Sequence, residues 1–445
     1  MNHPSLSLSE RDCVFTHAVA PARAPAVSRA FAQGKIARTV TDEPKTHGNG
    51  AASVTDPLQD PRFFADPYPA YARLREAAPV RKVPTGSGGR DSYLVTGYAE
   101  AREAFADPRL SKDTVRFFAG RPSQRDLHPA VSRNMLATDP PRHARLRALV
   151  TKAFTTGAVA RMRPYIAGLV DELLDAWPDR GPVDLVASLA VPLPVTVICE
   201  MLGVPESDRR LVRTWSSELF AAGDPRRIDA ASHAIGGYMT DLVAARRNSP
   251  GESLLDDLIA VRDGQDQLTE DELVSLAVLL LVAGHETTTN FIGNAALALL
   301  QHPESLARLR AGPQLLGSAL DELLRFDSPV GIATFRYSTE EFTLGGTVIP
   351  EGVPVLIAPG AANRDPNRFP APDQLDLDRG AAGHLAFGHG IHRCLGAPLA
   401  RAEGELALRA VISRFDDIRL AVPAEELEWR HTRLMRGLAS LPLIL

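Results

Sequence analysis

The segment from Thr269 to His302-Pro303 constrains this chain more than any other. Thr269 and Glu272 stand in the S/T-x-x-E spacing of a capping box, and Pro303 marks the far end, so the spacing predicts one uninterrupted helix. At 1.5 Å per residue such a helix is roughly 50 Å long, enough to traverse a whole domain. Its middle, Leu276-Ala277-Val278-Leu279-Leu280-Leu281-Val282-Ala283, is apolar on every side, which requires burial all round. The rest of the chain must therefore wrap around it. Polar residues then enter abruptly as Gly284-His285-Glu286-Thr287-Thr288-Thr289-Asn290, and polar groups at the centre of a domain need partners or a chemical task.

The remainder is long enough to do the wrapping: 445 residues, 44% hydrophobic, support a large core. A net charge of −5 gives no basis for a nucleic-acid partner. Cys13, Cys199 and Cys394 are odd in number and far apart, which argues against a disulfide framework or a zinc cluster and for a reducing, intracellular setting. The run from Leu276 to Ala283 falls short of the roughly 18–20 residues needed to cross a bilayer, so a soluble chain with no membrane association is expected. Residues 1–55 differ in composition. Within 1–40, Arg11, Arg23, Arg29, Lys35 and Arg38 face only Glu10 and Asp12 among Ala, Ser and Pro, and the segment reads as a disordered extension in preference to a transit-like one. Residues 56–445 are expected to form the folded domain.

Periodicities beyond Asp66-Pro67-Tyr68-Pro69 are mainly helical. Ser92 to Thr96 alternates like a strand, and Phe342 to Ile349 followed by Val353 to Ile357 reads as a hairpin around Pro350-Glu351-Gly352. The expected fold class is mainly α with a small β portion.

A second feature carries chemistry. In Phe387-Gly388-His389-Gly390-Ile391-His392-Arg393-Cys394-Leu395-Gly396, glycines permit tight bends close to a flat ligand, and the following Ala397-Pro398-Leu399-Ala400-Arg401-Ala402-Glu403 reads as a helix. Cys394 thus sits at a helix N-terminus, where the dipole and unpaired N–H groups favour a thiolate. An inert buried cysteine is the plain alternative for such a residue.

The loop Phe-Gly-x-Gly-x-His-x-Cys-x-Gly resembles the haem-binding loop of the cytochrome P450 superfamily. Ala283-Gly284-His285-Glu286-Thr287-Thr288 is similar to the family's oxygen-activation motif, Glu322-Leu323-Leu324-Arg325 to its Glu-x-x-Arg pair, and Asp139-Pro140-Pro141-Arg142-His143-Ala144-Arg145-Leu146-Arg147 to the start of its haem-facing helix. The four motifs occur in the family's order across residues 56–445. The resemblance implies haem b between the long helix and the cysteine loop, with Cys394 on the iron. Phe387, Gly388, Gly396, Ala283 and Gly284 would lie around the haem. His143, Arg147, Arg336 and His392 would face its propionates, since cations sharing one face need an anion. Glu286 and Thr287 would deliver the protons that dioxygen cleavage consumes. Glu322 and Arg325 would belong to a buried structural network. Where the family has an Arg in a Pro-x-Arg-Phe-like stretch, this chain has Pro372-Asp373-Gln374-Leu375, which leaves the third member open, with Arg379 as a substitute.

The resemblance further implies a soluble, cytoplasmic, monomeric bacterial monooxygenase that hydroxylates or epoxidises a lipophilic macrolide or other polyketide. Substrate contacts are expected from 108–135, 215–240, 326–335 and the turn near Met435, among them Phe117, Phe118, Met135, Leu136, Trp215, Phe220, Val330, Ile332 and Met435. With no flavin or nicotinamide module in the chain, electrons would come from a ferredoxin and its NAD(P)H-dependent reductase, docking at Arg142, Arg145, Arg393 and Arg401. The competing readings are a haem-thiolate peroxygenase, isomerase or dehydratase, and a non-catalytic haem sensor.

Overall fold

A computed structural model describes residues 61–85, 90–120, 125–220, 224–265 and 268–445. The extension assigned to residues 1–55 lies outside the described residues.

The principal helices are α1 (Arg142–Thr151), α2 (Thr156–Asp175), α3 (Pro192–Met201), α4 (Glu206–Leu219), α5 (Pro225–Asn248), α6 (Glu270–Gln301), α7 (Leu316–Phe326) and α8 (Ala397–Arg414). The capping box forms as expected: Thr269 accepts from the Glu272 backbone N–H, and the Glu272 carboxylate accepts from the Thr269 N–H. From Leu273 to Leu281 every residue of α6 is buried. It packs against α3, α5, α7 and α8, so their apolar faces and α6 share one core. Among the described residues α6 alone is long and apolar enough to cross a membrane, and these neighbours enclose it.

The sheets are small and lie beside the helices. β1 (Val80–Thr85) pairs antiparallel with β2 (Arg90–Val95), and β2 pairs in parallel with Val355–Ile357. The last pairing corrects the hairpin expected around Pro350. The hairpin joins Phe342–Leu344 to Thr347–Ile349, turning at Gly345-Gly346 with φ of 54° and 77°. Two successive positive φ values are what a two-residue turn with the right strand twist requires, and glycine supplies them without steric cost. Val355–Ile357 turns away to the larger sheet, leaving Pro350-Glu351-Gly352 as the connection.

Candidate active site

The central helix runs unbroken, but its burial is interrupted where the polar residues enter. Ala283 is exposed, and Val282, Gly284 and Thr287 are half-buried, although Leu276 to Leu281 before them and Thr288 to Leu299 after them are buried. Residues 283 and 287 are one turn apart, so the accessible stripe lies on one face. Gly284 sits where a side chain does not fit, since a Cβ would come within 2.8 Å of Ile198 on α3. The Thr287 hydroxyl donates to the Ala283 carbonyl at 3.4 Å.

Cys394 precedes α8, which packs on α6. Its loop is shaped by Gly388 and Gly390, at φ 68° and 73°, and a Cβ on Gly390 would meet the Phe105 carbonyl at 2.8 Å. The Cys394 N–H donates to the Phe387 carbonyl at 2.8 Å. Protein encloses the thiol, yet its side chain retains accessible surface, unlike Cys199, which is buried and pushed up to about 12. Burial raises the Cys394 pKa; the Gly396 N–H and the cations Arg147, Arg393 and Arg401 oppose this without cancelling it. The backbone N–H at the helix terminus therefore favours the thiolate, as expected, while burial opposes it. Coordination to a metal deprotonates such a thiol outright.

Beside the cysteine lies a buried basic cluster. The His143 and His392 rings stand 4.0 Å apart, and His143 Nε2 and both ring nitrogens of His392 have no hydrogen-bond partner among the described residues. Arg147 donates to the Arg393 carbonyl at 2.7 Å, and buried Arg336 to the Thr334 carbonyl at 3.1 Å. Burial, with neighbouring cations, pushes His392 down to about 2 and His143 below its ordinary range; burial lowers Arg336 to about 10. Lys112 joins them unannounced by the sequence. It is 1% exposed, its ammonium donates to Thr334 Oγ1, and burial beside Arg336 holds it well below the usual lysine range.

Asp139 is the carboxylate that acts on Lys112, His143 and Arg336. Contrary to the expectation that it opens α1, its side chain accepts from Ser111 and from the Lys112 N–H, and no side chain caps α1. Counted without the two imidazoles, Lys112, Arg147 and Arg336 against the one carboxylate of Asp139 leave an excess of two positive charges when all are ionised. With three unpartnered imidazole nitrogens beside them, they form a receptor for a buried dianion. The two propionates of a haem would meet that demand, and Cys394 would offer its sulfur to the iron, so the residues present fit the group.

The supporting network is closed. Arg325, 0% exposed, donates to both Glu322 oxygens at 2.6 and 2.8 Å and to the carbonyls of Asn363 and Pro372 at 2.9 and 2.8 Å. Arg379 Nε donates to Glu322 Oε1 at 3.1 Å, and the carbonyl of Gln374 accepts from both arginines. Gln374 thus contributes its backbone where the family pattern has an Arg side chain.

Glu286 has a different environment from Thr287. It is 3% exposed and points into hydrogen bonds from Ser217 and Arg430, and these hold its carboxyl below the ordinary range although burial opposes them. Of the basic residues expected on the docking face, Arg142 and Arg145 both pair with Glu272, at 3.0 and 2.6 Å, and Arg401 pairs with Asp321 at 2.7 Å; Arg393 is exposed. The substrate candidates disperse. Met135 and Ile332 are packed core, Phe117 is buried against Phe335, Trp215 packs on Tyr238, Leu136 and Phe220 are half-buried, and Phe118 is 47% exposed. Val330 and Met435 bridge each other and line a cleft with Phe64, Tyr68 and Arg430.

Known proteins are similar to this chain in sequence and fold. The Cytochrome P450 family model matches residues 213–312 and 313–426. Cytochrome P450 monooxygenase PikC of Streptomyces venezuelae is 47% identical over 86% of this chain and 91% of its own length. 6-Deoxyerythronolide B hydroxylase of Saccharopolyspora erythraea is 43% identical over 87% and 98%. The structure of the tirandamycin C-bound P450 monooxygenase TamI superposes with a TM-score of 0.82 at 45% identity, covering 86% of this chain and 98% of that one. With the cysteine loop, the basic cluster and the accessible stripe of the central helix in place, the chain belongs to the cytochrome P450 family and is a haem-dependent monooxygenase.

Proposed function

We propose that this cytoplasmic enzyme binds haem b, draws electrons from a ferredoxin and its NAD(P)H-dependent reductase, and inserts one oxygen atom into a C–H bond of a macrolide or related polyketide. The observation that carries the cofactor reading is the basic cluster of Lys112, His143, Arg147, Arg336 and His392 beside Cys394, a receptor for two carboxylates next to a sulfur ligand. Haem in this position supplies an iron at which dioxygen is activated, with thiolate donation favouring cleavage of its O–O bond. The chain's own residues do the rest. His143, Arg147, Arg336 and His392, with Lys112, would hold the propionates. Phe387, Gly388 and Gly396 would shape the loop beside the sulfur, and Ala283 and Gly284 would line the oxygen site.

Two protons are consumed for each oxygen inserted. Thr287, on the accessible stripe, holds a proton donor near the reacting oxygen, and Glu286, its neighbour on the helix, supplies protons to it. The substrate class rests on relatives: one is a hydroxylase of 6-deoxyerythronolide B, and another was seen with tirandamycin C bound. The test is reconstitution with ferredoxin, reductase and NADPH under labelled dioxygen, screening macrolides for products that gain one labelled oxygen. Thr287→Ala is expected to lower product per NADPH several-fold while raising peroxide release. Equal yield from the two proteins contradicts proton delivery through Thr287, and a product lacking label contradicts oxygen insertion.

A further inference from the structure

Of the three arginines that act on the Cys394 sulfur, Arg147, Arg393 and Arg401, only Arg401 is paired with a carboxylate among the described residues. It stands in the second turn of α8, and its Nε and Nη2 both donate to Asp321 Oδ1, at 3.0 and 2.7 Å. Asp321 belongs to α7, directly before the Glu322 of the buried network, and it takes a further hydrogen bond at 3.3 Å from His384 Nε2. The Ala386 N–H donates to His384 Nδ1 at 3.2 Å, so Nε2 is the nitrogen that carries the hydrogen toward Asp321. The same two side chains, Arg401 and His384, frame Phe387. Arg401 Cζ lies over the ring, 4.5 Å from its centroid, where the ring quadrupole attracts a cation, and the His384 ring stands 5.6 Å away at 53°. The Phe387 carbonyl in turn accepts from the Cys394 N–H. One connected set therefore runs from Asp321 through Arg401 and Phe387 to the backbone of Cys394.

We propose that Asp321 and Arg401 are positioning residues that hold Phe387 against the cysteine loop and, as a pair of opposite charges, set how readily iron bound at Cys394 takes an electron. Arg401 favours the reduced state, and Asp321 limits that effect by offsetting its charge. This rests on the ligation of haem iron by Cys394 proposed above. It gives Arg401 a task inside the protein, apart from the docking expected of it. The step is a one-electron transfer: reduced ferredoxin gives up one electron, ferric iron becomes ferrous, and no bond or proton moves. A nearby cation favours the added negative charge and a nearby carboxylate opposes it. With the two side chains 30% and 33% exposed, solvent weakens both effects without changing their signs. Loosened packing has no reason to act in opposite directions at the two partners.

The test holds the substrate-free holoproteins at the applied potential that leaves the parent half reduced, and reads the ratio of ferrous to ferric protein from the absorption spectrum. Arg401→Met is expected to lower the ratio about twofold or more, and Asp321→Asn, which keeps an oxygen acceptor but loses the charge, to raise it about twofold or more. Arg401→Lys, which keeps the charge, should return the ratio to near the parent's. Ratios that move the same way in Arg401→Met and Asp321→Asn, or that match the parent's in either, overturn the proposal, as does a Lys variant that behaves like the Met variant. If Arg401→Met fails to load haem, Asp321→Asn decides alone, by the rise or its absence. The reduced carbon monoxide complex separates this proposal from the reading beneath it. A red-shifted Soret band in the parent with unmoved ratios overturns the role of the pair and leaves Cys394 ligation standing; a parent without that band removes both.

Discussion

Removing Arg379 tests the buried network behind the cysteine loop. Glu322 is 1% exposed and Arg325 0%, and they bond each other in bidentate fashion, with the Asp376 N–H adding a third contact to Glu322 at 2.9 Å. Arg379→Met takes away one contact to Glu322 and leaves the carbonyls of Pro370, Ala371 and Gln374 without that donor. These carbonyls lie toward solvent and rehydrate in part, so the loss is about 1–3 kcal/mol. Glu322→Gln is worse, because it strands the Arg325 charge where nothing neutralises it; breaking a buried pair this way costs about 3–5 kcal/mol. Urea unfolding of the holoproteins, at fixed protein and haem concentration, should rank parent, Arg379→Met and Glu322→Gln in that order. The double mutant should show a coupling of about 1 kcal/mol or more between the two sites. Arg379→Met within about 0.5 kcal/mol of the parent, the range of an ordinary surface substitution, together with additive losses in the double mutant, refutes its membership of the network.

The same geometry sets three other outcomes. Burial acts to raise the Asp321 carboxyl, but hydrogen bonds from His384 and Arg401 outweigh it and bring it to about 2. A depressed carboxylate stabilises the fold above its unfolded value of about 3.9 and loses that contribution as pH falls toward 2. Asp321→Asn should therefore flatten the stability curve between those limits, and parallel curves there would contradict the assignment. Lys112→Met should release haem to an acceptor protein faster, by a factor corresponding to about 1.5–3 kcal/mol for one charge-assisted hydrogen bond, whereas parental release would remove Lys112 from the propionate site. Gly390→Ala, forced to φ 73° and into the Phe105 carbonyl, should lower the haem content of purified protein; full occupancy would show that the loop relaxes freely.

Elements are legible in the sequence where their signals are local. The central helix is written in adjacent residues, from the Thr269 and Glu272 box through the apolar run to Pro303, and the structure reproduces it as Glu270–Gln301. The cysteine loop is equally local. The β pairing is not: Val355–Ile357 finds Tyr93–Val95 some 260 residues earlier, and no alternation pattern names a partner at that range. The hairpin misreading has the same origin, because Pro350 and Gly352 look as turn-like as Gly345-Gly346 until a distant strand claims Val355–Ile357. Lys112 resembles any surface lysine in sequence, and only the fold sets it against Thr334 and Arg336. Asp139 looks like a helix cap by position, but its carboxylate is drawn to Ser111 and the Lys112 N–H. The partners of Glu286, contributed by α4 and the C-terminal segment, are likewise beyond any local pattern.

Iron ligation by Cys394 is read most directly from the spectrum of the reduced protein under carbon monoxide. Thiolate ligation predicts a strongly red-shifted Soret band in the parent and its loss in Cys394→Ser that still binds haem. A parent without that band, or a Cys394→Ser protein that keeps it, contradicts Cys394 as the iron ligand.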